Sequence, residues 1–260
     1  MSRLTGLSRS VAGKRAIVTG AASGMGRATA HLFADEGAWV AVVDITREGV
    51  DQVVAEIHSV HGRDRAHGFV VDVGDHQQLH DLVAAVVDEV GGVDILVNNA
   101  ATNPHYGPVL TAEDGHWDKT FDVNVKGYVR MVRACMAPMQ ARGGGAVINV
   151  ASIAGIKPET GMGVYAVSKA GVLMLTQVLA VELAPANIRV NAVAPGYVKT
   201  KFSSVIWQNP HVYAAVKARI PQGRMAEPEE LTGVMLYLAS DAASFTTGAV
   251  FTVDGGHLLG

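Results

Sequence analysis

Cysteine is nearly absent: Cys135 is the single one in 260 residues. A lone thiol cannot close an intrachain disulfide, so the chain is not held by cross-links and suits a reducing compartment. Charge is sparse as well. Charged residues make up 17% of the chain against 49% apolar ones, and the net charge is only −3. Without a basic field, the electrostatic footprint of a nucleic-acid partner is missing. No apolar run reaches the length of a bilayer span, and the start, Met1-Ser2-Arg3-Leu4-Thr5, lacks the apolar core of a signal peptide. These absences predict a cytoplasmic protein with neither a membrane nor a nucleic-acid partner. Linkers rich in Pro, Gly or Ser, internal repeats and low-complexity segments are also missing, which predicts one domain over 1–260.

Histidine is plentiful, but metal-binding spacing is not. His76 and His80 stand four apart and His58 and His61 three apart, with no accompanying carboxylate in an H-E-x-x-H pattern. Solvated helix faces explain them, and no metal is expected.

What the chain does have is a regular alternation. Apolar, β-branched runs at 15–19, 39–44, 66–71, 95–98, 146–150, 189–194 and 249–253 read as strands. They are continuous rather than alternating, the pattern of strands covered on both faces of a parallel sheet. Helical periodicity fills the gaps at 26–36, 47–61, 77–90, 112–139, 162–183 and 229–238. Strand–helix alternation predicts an α/β fold: one doubly wound, seven-stranded parallel sheet with helices on both faces. The long irregular stretch 195–227 exceeds an ordinary connection and reads as a lid over about 196–227.

Three features carry chemistry. After the first strand, Gly20, Gly24 and Gly26 form a G-x-x-x-G-x-G turn into a helix, with Ser23 and Met25 between them. Such a turn lets the backbone approach a pyrophosphate at the positive helix N-terminus. Asp44 ends the second strand, where a carboxylate accepts hydrogen bonds from adenosine ribose hydroxyls and repels a 2′-phosphate. NAD(H) is therefore expected over NADP(H). The next residue, Ile45, adds no positive charge; Arg47 is read as lying in the following helix. Asp72, followed by Val73, reads either as a contact for the adenine amino group or as the cap of the helix starting near Asp75. Asn98-Asn99-Ala100-Ala101 closes the fourth strand at the edge where ligands bind in open α/β sheets.

The third feature is Tyr165 and Lys169, four residues apart on one predicted helix face. A free tyrosine titrates at about 10 and is a poor base at neutral pH. A fixed cation nearby favours the phenolate and brings it toward the range of a general acid/base. The Ser152 hydroxyl is suited to hold the reacting oxygen.

Taken in order, these motifs identify the chain as resembling the short-chain dehydrogenase/reductase family over about 11–256, a Rossmann-type fold. The matching residues are Gly20-x-x-x-Gly24-x-Gly26, Asp72, Asn98-Asn99-Ala100, Asn124, Ser152, Tyr165-x-x-x-Lys169, Asn191 and Pro195-Gly196. Residues 99–104 and 117–120 look most like the branch of peroxisomal-type carbonyl reductases, which usually uses NADPH; Asp44 opposes that carry-over. The family's usual Asn-Asn-Ala-Gly turn ends here in Ala101. The resemblance implies that Tyr165 is the general acid/base and that Lys169 lowers its pKa and holds the nicotinamide ribose. It further implies that Ser152 bonds the substrate oxygen and that Asn124 keeps a water linking Lys169 to solvent. Pro195, Gly196, Val198 and Thr200 would cover the nicotinamide carboxamide.

The expected activity is hydride transfer between NAD(H) and a secondary alcohol or ketone. His105, Tyr106, Ile153, Ala154, Tyr197, Phe202, Ile206, Trp207 and Tyr213 are the expected pocket walls, and their apolar character favours a hydrophobic substrate. For Phe202, Ile206 and Trp207, simple packing of the lid onto the body explains the spacing equally well. Lys157 or His105 facing a substrate carboxylate would instead suit a hydroxy acid. Two alternatives stand beside this reading: an NADPH-dependent 3-oxoacyl carrier-protein reductase, and a sensor that binds NAD without chemistry. Excess apolar surface on the helices at 112–139 and 162–183, with the family's habits, predicts a homotetramer or dimer.

Overall fold

A computed structural model describes residues 8–260, so the reading of Met1–Thr5 lies outside the described residues. Seven strands form one parallel sheet in the order β3-β2-β1-β4-β5-β6-β7. They are β1 Arg15–Thr19, β2 Trp39–Asp44, β3 Ala66–Val70, β4 Ile95–Asn98, β5 Gly145–Val150, β6 Ile188–Pro195 and β7 Val250–Val253. The helices are α1 Gly24–Asp35, α2 Arg47–His61, α3 His76–Val90, α4 Asp114–Phe121, α5 Gly127–Ala141, α6 Gly163–Leu183, α7 Ser204–Trp207, α8 Pro210–Ala218 and α9 Thr232–Ala239.

Each continuous apolar strand serves two cores, because successive side chains point to opposite faces. In β1, Ala16 and Val18 meet Phe33 of α1, Val50 and Ile57 of α2, and Met235 and Leu238 of α9. Ile17, between them, meets Leu79 of α3, Met131 of α5 and Leu183 of α6 on the other face. The chain builds outward from β1 through β2 to β3, then returns to lay β4 on the opposite side of β1. At that reversal the two carboxyl ends part and leave a crevice.

Local signals place the helix ends. Asp75 caps α3, its carboxylate accepting from the Gln77 and Gln78 amides at 2.9 and 3.1 Å, and Gly91 closes the helix in the left-handed region at φ 77°.

Three expectations need correction. The helix expected at 112–139 starts at Asp114 and is interrupted by a π-helical turn, Asp122–Lys126, between α4 and α5. Hydrophobic periodicity does not register one extra residue in a turn. The stretch 195–227 is not irregular throughout: it holds α7 and α8, the latter capped by Asn209 with Pro210 at its first position. Finally, among the described residues one segment is long and apolar enough to cross a membrane: Gly163–Ala186, containing α6, has a mean hydropathy of 1.6. One face of it packs into the core, where Val172 and Thr176 are fully buried and Lys169 is 1% exposed.

Candidate active site

The crevice is a cleft of about 410 Å³ running along the carboxyl edge of the sheet. At one end lies the glycine turn, with φ +64° at Gly20 and +53° at Gly24, a backbone that glycine adopts without strain. Asn99 holds this turn by donating from Nδ2 to the carbonyls of Thr19 and Gly20, both at 3.0 Å. The Thr19 hydroxyl in turn accepts from the Asn99 and Ala100 amides at 3.0 and 3.1 Å. Asn98 is buried and donates to Asn149. Ala101 needs no glycine, since Asn187 is the one non-glycine with positive φ among the described residues.

Gly26 sits beneath the turn rather than on the cleft wall. A Cβ there would lie 2.2 Å from the Gly20 carbonyl oxygen and 2.6 Å from Asn99 Nδ2. Backbone cannot yield cheaply at that distance. Gly26→Ala is therefore expected to cost about 1–3 kcal/mol of stability by overpacking and to weaken NADH binding about tenfold or more. Urea unfolding and fluorescence titration check both; unchanged values would mean the turn is slack.

The other residues expected to hold a dinucleotide all line the cleft, from Ser23 and Met25 to Val198 and Thr200. Asp44 is oriented from both sides. Its Oδ2 accepts from the Ala22 amide at 3.1 Å, and Oδ1 from the Thr46 amide and hydroxyl at 3.2 and 3.0 Å. Arg47 points away along α2, 3.8 Å from Asp51 and exposed. Ile45 stands 65% exposed at the rim. Asp72 is not a helix cap, since Asp75 has that role. Asp72 accepts from the Gly74 amide at 2.8 Å and lies 3.8 Å from the Lys119 ammonium.

At the other end, Ser152, Tyr165 and Lys169 line the same cleft. Ser152 caps a short turn after β5, its Oγ accepting from the Ala154 amide at 3.1 Å. Lys169 donates to the Val150 carbonyl at 2.7 Å and to the Tyr128 hydroxyl at 3.4 Å, and its Nζ lies 5.6 Å from the centre of the Tyr165 ring. Tyr128 itself donates to Val150 at 3.0 Å. Sequence reading passed over Tyr128, although it follows Asn124 by one helical turn and so faces the same way.

The electrostatics correct the simplest expectation. Burial raises the Tyr165 phenol above its ordinary value; Ser152 acts to lower it, Tyr106 to raise it further, and Lys169 is not among the causes. Burial also pushes Lys169 down to about 7. The helix thus brings the two groups together, but desolvation dominates the shift of each.

A stability signature follows from Lys169. Its folded-state value of about 7 lies below the ordinary 10.5, so between those values the unfolded chain binds more protons. Stability should therefore rise with pH across that window and be lowest, from this cause, below 7. Lys169→Met should lack that component, as read by urea unfolding of both proteins between pH 6.5 and 10. Parallel profiles would contradict the burial cost.

Asn124 lies off the cleft. Its Oδ1 accepts from the Thr102 amide at 2.8 Å, and Nδ2 donates to the Thr102 carbonyl and Ser168 Oγ, both at 3.0 Å. The side chain thereby ties the segment after β4 to α6. Its position in the π-helical turn disturbs the usual carbonyl ladder there.

Three expected wall residues are elsewhere. His105 is held by Pro108 and Thr111 at 3.1 and 3.3 Å and packs on His116, away from the cleft. Trp207 donates its indole N–H to the Thr200 carbonyl at 2.9 Å and pins the lid instead of lining it. Tyr213 packs with Val216, Ile220 and Met225 behind the wall. Phe202, Ile206, Tyr197, Ile153 and Ala154 do line the cleft, with Phe202 5.7 Å from the Tyr165 ring centre.

Among the wall residues that were missed, one is acidic. Glu159 lines the cleft with a carboxylate that is 13% exposed. It accepts from Tyr197 Oη, from Arg219 at 3.1 Å and from His257 Nε2 at 2.9 Å. Burial raises its pKa, but the bonds from Tyr197 and His257 and the Arg219 charge prevail and hold it below the ordinary carboxylate value. Its one sequence signal is an isolated acid between Ser152 and Tyr165. Among the described residues no group of three or more His, Cys, Asp or Glu is arranged to hold a metal ion.

A family model described as enoyl-(acyl carrier protein) reductase matches residues 20–257. Human dehydrogenase/reductase SDR family member 4 is 42% identical over 95% of this chain and 88% of its own length. The 3-oxoacyl-[acyl-carrier-protein] reductase FabG of Thermotoga maritima is 41% identical over 95% of this chain and 98% of its own. Among solved structures, a gluconate 5-dehydrogenase from Burkholderia cenocepacia in complex with NADP and tartrate superimposes with a TM-score of 0.91. It is 30% identical over 97% of this chain and 98% of its own.

Proposed function

This chain belongs to the short-chain dehydrogenase/reductase family, and from that premise we propose that it is an NAD(H)-dependent oxidoreductase acting on a secondary alcohol or ketone. The observation that carries the reading is one cleft with Asp44 and the glycine turn at one end and Tyr165, Ser152 and Lys169 at the other. When bound, the nicotinamide supplies the carbon that accepts or gives up hydride. The glycine turn and the α1 N-terminus receive the pyrophosphate, Asp44 the adenosine ribose, and the 195–200 segment the carboxamide end. A dinucleotide fits this cradle because side chains are missing where it must approach: a Cβ at Gly24 would meet Thr200 at 2.9 Å.

The chain's own groups handle the proton. Ser152 orients the substrate oxygen, and Tyr165 Oη takes the hydroxyl proton in oxidation or returns one in reduction. The raised phenol of the free protein favours the protonated, donating form, so oxidation calls for more alkaline conditions than reduction. Lys169 and Asn124 position this group from below. The assembled four-residue set weighs against a sensor that does no chemistry.

The test is a panel of alcohols and ketones with both cofactors, read at 340 nm. We expect turnover of apolar secondary alcohols with NAD+. The likeness to the Thermotoga enzyme favours one second reading, an NADPH-dependent 3-oxoacyl carrier-protein reductase. Preferential turnover of an acyl thioester with NADPH would establish that reading instead.

The lid over 196–227, a cytoplasmic setting consistent with one buried thiol, and assembly into a homotetramer or dimer complete the proposal. Assembly is supported by apolar residues left exposed on α6, where Val167, Met174, Val178 and Val181 are 43–78% exposed. Light scattering showing only monomer would reject it.

A further inference from the structure

Part of the cleft wall is backed by an ion cluster drawn from three parts of the chain. Glu159 comes from the loop between Ser152 and Tyr165, Tyr197 and Arg219 from the two ends of the lid, and His257 from the segment after β7. Both carboxylate oxygens are engaged: Oε1 accepts from Arg219 and His257, and Oε2 from Tyr197. Arg219 Nη1 also lies 3.5 Å from Oε2.

The arrangement has a direction. Glu159 and Tyr197 line the cleft, whereas Arg219 and His257 do not. The guanidinium stands behind the carboxylate, on the solvent side, with a side chain 54% exposed. His257 is 2% exposed, behind the ring of Tyr197. A molecule in the cleft therefore meets the negative end of the pair first. Of the cations that line the cleft, Lys169 at this end is engaged by the Val150 carbonyl and the Tyr128 hydroxyl, and Lys119 is paired with Asp72 toward the other end. Because its oxygens already have donors, Glu159 offers little to a substrate hydroxyl. What it presents is charge, beside apolar neighbours: Met162, Ile206 and Phe202 line the same cleft.

We propose that Glu159 is a specificity-determining residue that turns away carboxylate-bearing substrates and restricts the enzyme to uncharged alcohols and ketones. This rests on the oxidoreductase reading above and narrows its substrate class. A substrate carboxylate at the Glu159 wall would stand near a like charge in a partly buried site, where juxtaposed like charges are strongly disfavoured. The Tyr197 hydroxyl on that wall is already given to Glu159 and is not free to receive it.

The first test needs no turnover. In the presence of NADH, the affinities of isobutyramide and isobutyrate, two ligands of nearly equal shape, are compared by calorimetry. We expect the amide to bind about tenfold more tightly or better. Glu159→Gln should remove most of that preference by strengthening isobutyrate binding. Arg219→Gln should enlarge it, since the carboxylate loses its screening cation; this rim position keeps the test decisive should Glu159→Gln not fold. Equal binding of both ligands by the wild-type protein would overturn the proposal, as would a preference that moves in neither variant.

The second test uses turnover of ethyl acetoacetate against acetoacetate. The ester should be reduced with the higher kcat/KM, and the ratio should fall about tenfold or more in Glu159→Gln. Equal ratios in the two proteins would overturn the specificity role. Amide preference with no hydride transfer to any ketone would instead sink the oxidoreductase reading and leave the charge selectivity standing.

Discussion

Tyr165→Phe is expected to lower turnover of alcohols and ketones by about 10²–10⁴-fold, the usual contribution of a positioned acid/base group. NADH affinity should stay within about twofold, since one hydroxyl contributes little to holding a whole dinucleotide. The ring that remains keeps its packing against Phe202 and the neighbouring Ala154 and Ala166. Stability should therefore change little, and the loss should appear in kcat more than in KM. Steady-state rates, fluorescence titration with NADH and a urea melt read these three quantities. Near-full turnover in a folded variant would remove Tyr165 from proton transfer.

The second large effect concerns the choice between cofactors. Two unit charges about 4 Å apart at an effective dielectric of 20 interact by about 4 kcal/mol. At the half-exposed Asp44, salt screening reduces this, so we expect NAD(H) to be preferred by about a hundredfold in kcat/KM. Asp44→Ser with Ile45→Arg removes the repelling charge and supplies a cation from a residue already at the rim. That pair should reverse the preference. The side-chain directions support the choice: Asp44 is anchored by Ala22 and Thr46, and Arg47 is turned toward Asp51. The solved relative that holds NADP makes this the more discriminating prediction. Equal use of both cofactors by the wild-type protein would contradict it.

Much of the fold could be read from periodicity. β1, β2 and β4 match their expected bounds, and the others shift by one residue, as expected where apolar runs of β-branched residues meet glycine or charge. The carboxyl-edge motifs were legible for the same reason: a glycine turn, an acid ending a strand and a Tyr–Lys pair at helical spacing each have a local geometric meaning. What escaped depends on distant contacts. His105 and Trp207 look like wall residues from their neighbours in sequence, but each has found a local hydrogen-bond acceptor, Pro108 or Thr200, that turns it away. The π-helical turn at Asp122–Lys126 adds a residue without changing hydrophobicity. Tyr128 and Glu159 gain their meaning from partners far along the chain, Val150 for one and Arg219 and His257 for the other. Nor does Tyr165–Lys169 spacing reveal burial, and burial is what sets the titration of both groups.

The relation between phenol and lysine is thus less direct than an ion pair across one helical turn. Lys169 is occupied by Val150 and Tyr128, and its own charge is costly in the interior. On the proposed reading, its contribution is to fix a donor network beside Tyr165 at the cleft wall.

Single-turnover oxidation of a secondary alcohol by the NAD+-loaded protein, followed at 340 nm across pH, addresses the proton-transfer role of Tyr165 most directly. The wild-type rate should climb with pH through one ionisation to a plateau, and in Tyr165→Phe the rate should be slow and flat. An identical pH-dependent rise in the variant would show that another group accepts the proton.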